Sequence, residues 1–345
     1  MSGCGLGVGL VGLGGIGTMH ARALAELPGR ARLVAVSGSG TPGTGPVPAR
    51  LPPHEVIAHP DVDVVAICTP SHTHAALALA ALEAGRHVVV EKPLALDVGD
   101  ALRVARAAHD RGLSVSMIAQ RRLEPEYRAL ARAVTDAALG DLRLAVTQVP
   151  WHRDDGYYRA APWRAAPGRG GGSLMNQGVH SVDLLRWVCG RACGPVESVT
   201  AQAGTLAHDV AVEDTTVATL RFASGALGVL TTTTATPPGF PATLAVYGSQ
   251  GSAELGQGAV LRWDVPGVPP PSAAASPTSG AADPLAIGHT GHLAQWARIV
   301  DALEAGTPVP VGVDDAVETV RLLCAIEEAA ASGRAVRPAD LGAAP

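Results

Sequence analysis

The chain is poor in charge, sparing in cysteine and free of long apolar runs, and each shortage argues against a class of protein. Charged side chains make up 17% of its 345 residues, with a formal net charge of −5 at pH 7. No basic field is available for a phosphate backbone, which argues against a nucleic-acid partner. The five cysteines, Cys4, Cys68, Cys189, Cys193 and Cys324, include no Cys-x-x-Cys pair. An odd, dispersed set is not a disulfide framework and points to a reducing, cytoplasmic compartment. No uncharged apolar stretch reaches the roughly 18 residues of a membrane-spanning helix, so no membrane partner is expected. The glycine-rich opening, Met1 to Ile16, lacks the basic leader of a secretory signal and reads as a first strand. No repeat of fixed period is found.

What is present is a 47% hydrophobic chain, long enough for two domains at roughly 150 residues each. Up to about residue 120, short β-rich runs (Gly7–Val11, Leu33–Val36, Val62–Cys68, His87–Val90, Leu113–Ile118) alternate with amphipathic or Ala-rich segments (Met19–Glu26, His74–Glu83, Ala101–Asp110). This βαβ alternation predicts an α/β domain with a doubly wound parallel sheet. After a helix predicted over Pro125–Ala138, Thr/Val-rich runs take over at Thr215–Phe222, Ala226–Thr234 and Leu244–Tyr247. The first two flank an Ala-Ser-Gly turn and predict an antiparallel hairpin in a second, α+β domain. The expected division is 1–122 and 123–345. Two closing helices, carrying Leu293, Trp296, Ile299, Val300 and Leu303 on one and Val317, Val320, Leu323 and Ile326 on the other, are free to pack back on the first domain. Residues 38–48 and 264–284, rich in Gly, Pro, Ala and Ser, read as mobile loops.

Gly12-Leu-Gly14-Gly15-Ile16-Gly17 follows the first strand and opens a helix, the context in which Gly-x-Gly-x-x-Gly reads as a dinucleotide fingerprint. Gly12 would make the turn, Gly14 admit a pyrophosphate, and Gly17 let helix and strand approach, with the helix N-terminus facing the phosphates. The second strand ends in Ser37-Gly38-Ser39 rather than the Asp or Glu that binds ribose hydroxyls in such folds. Beyond that turn no Arg or Lys appears until Arg50. NAD is favoured, with NADP left open.

At the carboxyl end of the His87–Val90 run stands Glu91-Lys92-Pro93. Upstream are Thr69-Pro70 and His74. Downstream come Trp163-Arg164, then Gly170 to Gly172 followed by Ser-Leu-Met-Asn176-Gln-Gly178-Val-His180-Ser-Val-Asp183, and the turn Tyr247 to Gly251. In these ordered motifs the chain resembles the glucose–fructose oxidoreductase/inositol dehydrogenase family (Gfo/Idh/MocA) over nearly its whole length. The resemblance implies a nucleotide-binding domain followed by a domain with an open, mainly antiparallel sheet, which many members use to form homodimers or homotetramers. It implies an enzyme that exchanges hydroxyl and carbonyl groups on sugars and cyclitols. It makes Lys92 the catalytic lysine and His180 the catalytic histidine, with Asn176 where many relatives have Asp. It further places Thr69, Pro70, His74, Glu91, Gln120, Trp163 and Arg164 beside the cofactor, and the segment Ile287–His292, with His289, near substrate.

The chemistry of the residues points the same way. Oxidising a secondary alcohol needs a base for the hydroxyl proton and a group that stabilises alkoxide character. Imidazole titrates near neutrality, which suits His180 as base, while Lys92 can hydrogen-bond the reacting oxygen or relay its proton. If residues 176–187 are helical, Asn176, His180, Asp183 and Trp187 share one face. Asn176 would then orient substrate hydroxyls, and Asp183 would either set the His180 tautomer or serve a structural bond. Tyr157, Arg164 and their aromatic neighbours suit a polyol. Neither His72 with His74 nor His289 with His292 has the further ligands of a zinc site, so no metal is expected. The Ala, Gly, Pro and Arg enrichment is that of a high-GC coding sequence. It motivates a sharper expectation, an amino sugar or aminocyclitol of aminoglycoside type drawn in by Asp154, Asp155 or Asp183. The alternatives are a redox-neutral glycosidase that uses NAD transiently, and a sensor that keeps the fold without the chemistry.

Overall fold

The computed structural model describes residues 5–43, 48–272, 280–281 and 288–342. Strands β1 (Leu6–Val11), β2 (Ala31–Ser37), β3 (Ala49–Arg50), β4 (Val64–Ile67), β5 (His87–Val90) and β6 (Val115–Met117) alternate with helices α1 (Gly15–Ala25), α2 (Pro53–Ala58), α3 (His74–Glu83) and α4 (Val98–Arg111). The strands form one parallel sheet in the order β3-β2-β1-β4-β5-β6. The chain winds outward from β1, returns, and resumes beside it at β4. The crevice at the carboxyl ends of β1 and β4 is the switch point at which open α/β sheets bind ligands. Burial on both faces explains why these strands read as unbroken apolar runs: all of β4 and Val88–Val90 of β5 are buried. Helix α4 shows local sequence control, capped by the Asp97 carboxylate, which accepts from the Asp100 N–H (2.7 Å), and stopped by left-handed Gly112.

Beyond a 3₁₀ turn at Gln120–Leu123 come α5 (Pro125–Thr135), β7 (Leu142–Pro150), α6 (Asp155–Arg159), a π-helical turn at Ser173–Gly178 and α7 (Val179–Cys193). Six strands follow: β8 (Val196–Gly204), β9 (Thr215–Phe222), β10 (Leu227–Thr233), β11 (Thr243–Gly248), β12 (Ser252–Gly256) and β13 (Ala259–Asp264). They join β7 in a second sheet of order β13-β12-β11-β7-β10-β9-β8. Every pair in it is antiparallel except β7 with β10. One face carries α7 on β7 and α5 on β12. Along β9, Thr216, Ala218, Leu220 and Phe222 are buried while Val217, Thr219 and Arg221 are exposed, the period-two alternation of a strand covered on one side.

Helices α8 (Thr290–Ala305) and α9 (Val313–Ser332) close the described chain. It divides into two compact units, Met1–Gln120 with Gly288–Val320, and Arg121–Ile287 with Arg321–Pro345. The first unit thus takes α8. That helix sets Trp296, Ile299 and Val300 into the core formed by Leu10, Leu24, Val89 and Ile118, at about 1.5–3 kcal/mol for each large side chain buried.

The fold is the α/β plus open-sheet architecture expected from the sequence. One local expectation is corrected: residues 176–187 are not a single regular helix, because Ser173–Gly178 is wound as a π turn before α7 begins. Of the two low-complexity loops, residues 44–47, 273–279 and 282–284 lie outside the described residues, as does Ile287.

Candidate active site

The fingerprint glycines do different jobs. Gly12 has φ +103°, and a Cβ there would stand 2.6 Å from the Cys68 carbonyl carbon. A Cβ on Gly17 would meet the Gly12 oxygen at 2.2 Å, so that glycine lets α1 lie against β1. Gly14 is different, because a Cβ there would touch nothing within 4 Å. No side chain caps α1. The open space at Gly14 and the uncapped N–H groups of Gly15 and Ile16 therefore fit a dinucleotide pyrophosphate. At the end of β2 the Ser37 carbonyl accepts from the Gly12 and Leu13 N–H groups (3.0 and 2.8 Å). Arg50, on neighbouring β3, donates to the carbonyls of Gly38 and Gly40. The guanidinium thus braces the turn around Ser39 where such folds usually have an acid.

Lys92 follows β5, and it is the single lysine among the 26 lysines and arginines of the chain. Its neighbour Glu91 is buried, and its carboxylate is fully engaged. Oε1 accepts from His20 Nε2 (3.0 Å) and His292 Nε2 (3.2 Å), and Oε2 accepts from the Lys92 main-chain N–H (3.2 Å). Trp296 Nε1 donates to His20 Nδ1 (3.0 Å). An indole N–H can only donate, so His20 is the neutral tautomer with its proton on Nε2. Burial pushes His20 down, which keeps it neutral, with the Glu91 hydrogen bond opposing. Burial would raise Glu91, but the hydrogen bonds from His20 and His292 outweigh it and hold the carboxyl well below its usual range. Burial, with the Glu91 charge, pushes the Cys68 thiol well up. His20, Glu91 and His292 bring potential metal-ligand atoms within 4.8 Å of one another. The His20 tautomer turns a hydrogen rather than a lone pair toward that centre, which makes the group a hydrogen-bond network and a poor ligand set.

His74 is buried between two backbone carbonyls, with Nδ1 2.7 Å from that of Pro93 and Nε2 2.8 Å from that of Thr69, and a neutral ring donates to one of them at a time. It thereby ties the Thr69-Pro70 turn to the Lys92-Pro93 turn. Thr69 Oγ1 bonds Thr73 Oγ1 (2.6 Å). Gln120 packs its side chain against Gly291. His289 pairs with Glu26 at the end of α1. Of the residues expected at the cofactor, Glu91 and His74 act on the backbone on either side of Lys92.

In the second unit the π turn is built around Glu213, which the sequence reading missed. Its carboxylate accepts from the N–H groups of Ser173 (2.6 Å) and Leu174 (2.9 Å). Burial raises this carboxyl and the two N–H bonds oppose the rise. Gly172 (φ +83°) precedes the turn, and a Cβ there would lie 2.6 Å from Glu213 Oε1. The turn presents Asn176 and Gln177, whose amide groups both donate to the Tyr157 hydroxyl (3.0 and 2.7 Å). Arg164 lies 4.0 Å over the Tyr157 ring and donates to the Tyr157 carbonyl (2.9 Å). Its guanidinium also stands 5.7 Å from the Trp163 ring. His180 opens α7, half-buried, and lines a cavity of about 10 Å³ with Gln177, Trp151, Tyr127, Arg121 and Gln257, room for about one water.

The carboxylates expected to recruit an amine have other partners. Asp183 makes a buried two-point pair with Arg122 (2.7 and 2.6 Å). Asp154 caps α6 by accepting from the Tyr157 N–H (2.8 Å). Asp155 stands 3.7 Å from Arg159. Arg153, another residue the sequence reading passed over, is buried and donates to the carbonyls of Gly280 and Ala281 (2.6 and 2.8 Å). No spacing rule marks Glu213, Arg122 or His292 for these duties, since each partner is distant in sequence.

Comparison with known proteins agrees with this geometry. Residues 6–118 match the oxidoreductase family with an NAD-binding Rossmann fold, and residues 127–254 match the GFO/IDH/MocA C-terminal domain. The myo-inositol 2-dehydrogenase of Thermotoga maritima is 31% identical over 261 residues, 71% of this chain and 73% of that protein. The chain belongs to the GFO/IDH/MocA family. Among solved structures of this kind, the WlbA dehydrogenase of Bordetella pertussis in complex with NADH and UDP-GlcNAcA superposes with a TM-score of 0.85 at 28% identity, over 98% of this chain and 99% of that one. GenD2 from gentamicin A biosynthesis in complex with NAD gives 0.78 at 29%, over 97% and 96%. As a GFO/IDH/MocA member the protein is an NAD-dependent oxidoreductase acting on CH–OH groups. Its fingerprint turn and α1 lie within the span that matches the NAD-binding Rossmann fold.

Proposed function

We propose that the protein oxidises a ring secondary hydroxyl of a sugar or cyclitol to a ketone, or reduces the ketone, with Lys92 and His180 acting on the reacting oxygen. When bound, NAD accepts or returns the hydride. His180 takes the hydroxyl proton as general base. Lys92 stabilises alkoxide character and exchanges a proton with the same oxygen. The observation that carries this reading is the single lysine. The chain uses arginine for every other strong cation, so arginine would serve here if charge alone were required. A lysine supplies what arginine cannot, a compact ammonium able to release its proton. Asn176, already hydrogen-bonded to Tyr157, orients substrate hydroxyls rather than taking a proton, because an amide has no basic site at neutral pH.

Asp183 is committed to Arg122 in the interior, so of the three charges that motivated the amino-sugar preference only Asp154 and Asp155 remain exposed, the first capping α6 and the second 3.7 Å from Arg159. The Tyr157 surroundings instead offer amides, a phenol and the Arg164 guanidinium, which suit a neutral polyol or one bearing a carboxylate. The open face of the second sheet is proposed to join copies into a homodimer or homotetramer.

The experiment is incubation with NAD and, in turn, myo-inositol, UDP-GlcNAcA and an aminoglycoside, followed by absorbance of reduced nicotinamide. Reduction with a neutral or acidic sugar is expected. Preference for the aminoglycoside would restore the amine reading, and cofactor binding without reduction by any of the three would sink the assignment for these substrate classes. Lys92→Met and Lys92→Arg are each expected to lower kcat by about a hundredfold or more. Full activity in Lys92→Arg would show that charge alone suffices.

A further inference from the structure

Glu91 is the residue next to Lys92, yet its carboxylate points into the core and is satisfied there from three elements. Helix α1 brings His20, α8 brings His292, and the third donor is the Lys92 main-chain N–H. Trp296, also on α8, fixes the His20 tautomer from behind. An ionised carboxylate this deep is costly unless every lone-pair direction is used, and an apolar side chain of similar size often stabilises a core better. Retaining the charge at this depth therefore calls for a purpose beyond packing. On the far side of Lys92, His74 on α3 holds the Pro93 carbonyl. The backbone around the lysine is thus gripped before and after it, and one of the grips reaches the helix whose N-terminus fits the cofactor phosphates.

We propose that Glu91 is a positioning residue for Lys92, locking the lysine's main chain to the nucleotide-binding helix α1 and to α8 while supplying a buried negative charge beside it. The inference rests on the reading of Lys92 as the group that acts on the substrate oxygen. The titratable groups around the carboxylate are His20, His292, His74, Cys68 and Lys92 itself. The first is kept neutral by its indole partner and by burial, and Cys68 is held as the thiol. The negative charge of Glu91 therefore favours the protonated form of Lys92, and removing it must lower the lysine's pKa. In Glu91→Gln the amide has one acceptor oxygen to meet three N–H donors, so at least one donor faces the NH₂ group. The three-bond link that ties Lys92 to α1 and α8 is thereby broken at one donor or more with almost no change in volume.

The test uses the full chain grown with lysine isotope-labelled at Nζ. One lysine gives one side-chain resonance without any assignment. Glu91→Gln is expected to move its titration midpoint down by about half to one pH unit. It should also cut kcat with NAD and the turned-over sugar about tenfold or more, and change NAD affinity by calorimetry less than about threefold. His292→Phe removes one donor and keeps the carboxylate, so it should shift the resonance less and serves if Glu91→Gln does not fold. An unchanged lysine titration in both variants overturns the proposal, as does a rate loss that tracks lower thermal stability alone. Failure of the underlying reading looks different: Lys92→Met would then retain wild-type turnover whatever Glu91 does.

Discussion

Gly14 and Gly17 stand three residues apart in the fingerprint and differ in what an added methyl group would strike. Gly17→Ala would drive a carbon to 2.2 Å from the Gly12 oxygen, so it should destabilise the fold and weaken NAD binding together. Gly14→Ala meets no protein atom. It should leave the melting temperature within a degree or two of wild type and still reduce NAD affinity at least about tenfold, since only a ligand occupies that space. Equal affinity in Gly14→Ala, measured by calorimetry, would remove the pyrophosphate from this turn. The histidines make a second prediction at this scale. His20 and His74 are pushed below their ordinary value of 6.5, chiefly by burial. The unfolded chain takes up those protons first, so stability should fall as the pH drops below about 6.5. Glu91, held well below its ordinary value of 4.5, contributes stability that is complete above 4.5 and is lost on further acidification toward its folded value. Urea unfolding at a series of pH values should show both declines, and in Glu91→Gln the second should be smaller.

Among the elements, the π turn ahead of α7 has the most exacting support. It depends on a carboxylate from a distant segment, Glu213, to satisfy two N–H groups that a regular helix start leaves to a local cap. Glu213→Ala should cost about 1–3 kcal/mol in denaturant unfolding, because the two donors are left unsatisfied. Its larger effect should be on KM for the sugar, since the turn carries Asn176 and Gln177 to Tyr157. Helix α7 is also pinned by Arg122 to Asp183, with side chains only 6% and 2% exposed. Replacing Asp183 by Asn leaves a buried guanidinium half-paired, for an expected loss of about 3–5 kcal/mol. A loss below 1 kcal/mol would mean water reaches the pair.

For the molecule as a whole, the described residues place no helix on one face of the second sheet. Cross-strand register brings Leu227 opposite Leu144, Val229 opposite Val146 and Thr231 opposite Val217 on that face. Val217 and Leu227 are 46% and 47% exposed. An apolar strip along the centre of a sheet suits pairing with a second copy. Replacing both Val217 and Leu227 by Lys should lower the mass seen by sedimentation while leaving each chain folded. A chain that sediments as a monomer before substitution would remove the proposal.

The first domain was closely legible in the sequence, because strands buried on both faces announce themselves as apolar runs and a glycine fingerprint must sit between strand and helix. The sequence also marked Lys92, Asn176 and His180, whose motifs are contiguous. The one-sided sheet was legible at Thr215–Phe222 and Leu227–Thr233, where alternation is clean. It was missed at β7, although Leu142, Leu144 and Val146 alternate there, and at β8, where small residues such as Ala201 and Ala203 dilute the pattern. Only tertiary structure could decide that Glu91 turns inward to His20 and His292, 71 and 201 residues away, that Glu213 builds the π turn, and that Asp183 belongs to Arg122. A buried charge is stabilised by whichever partners folding brings within hydrogen-bond reach, and sequence spacing carries no record of that distance.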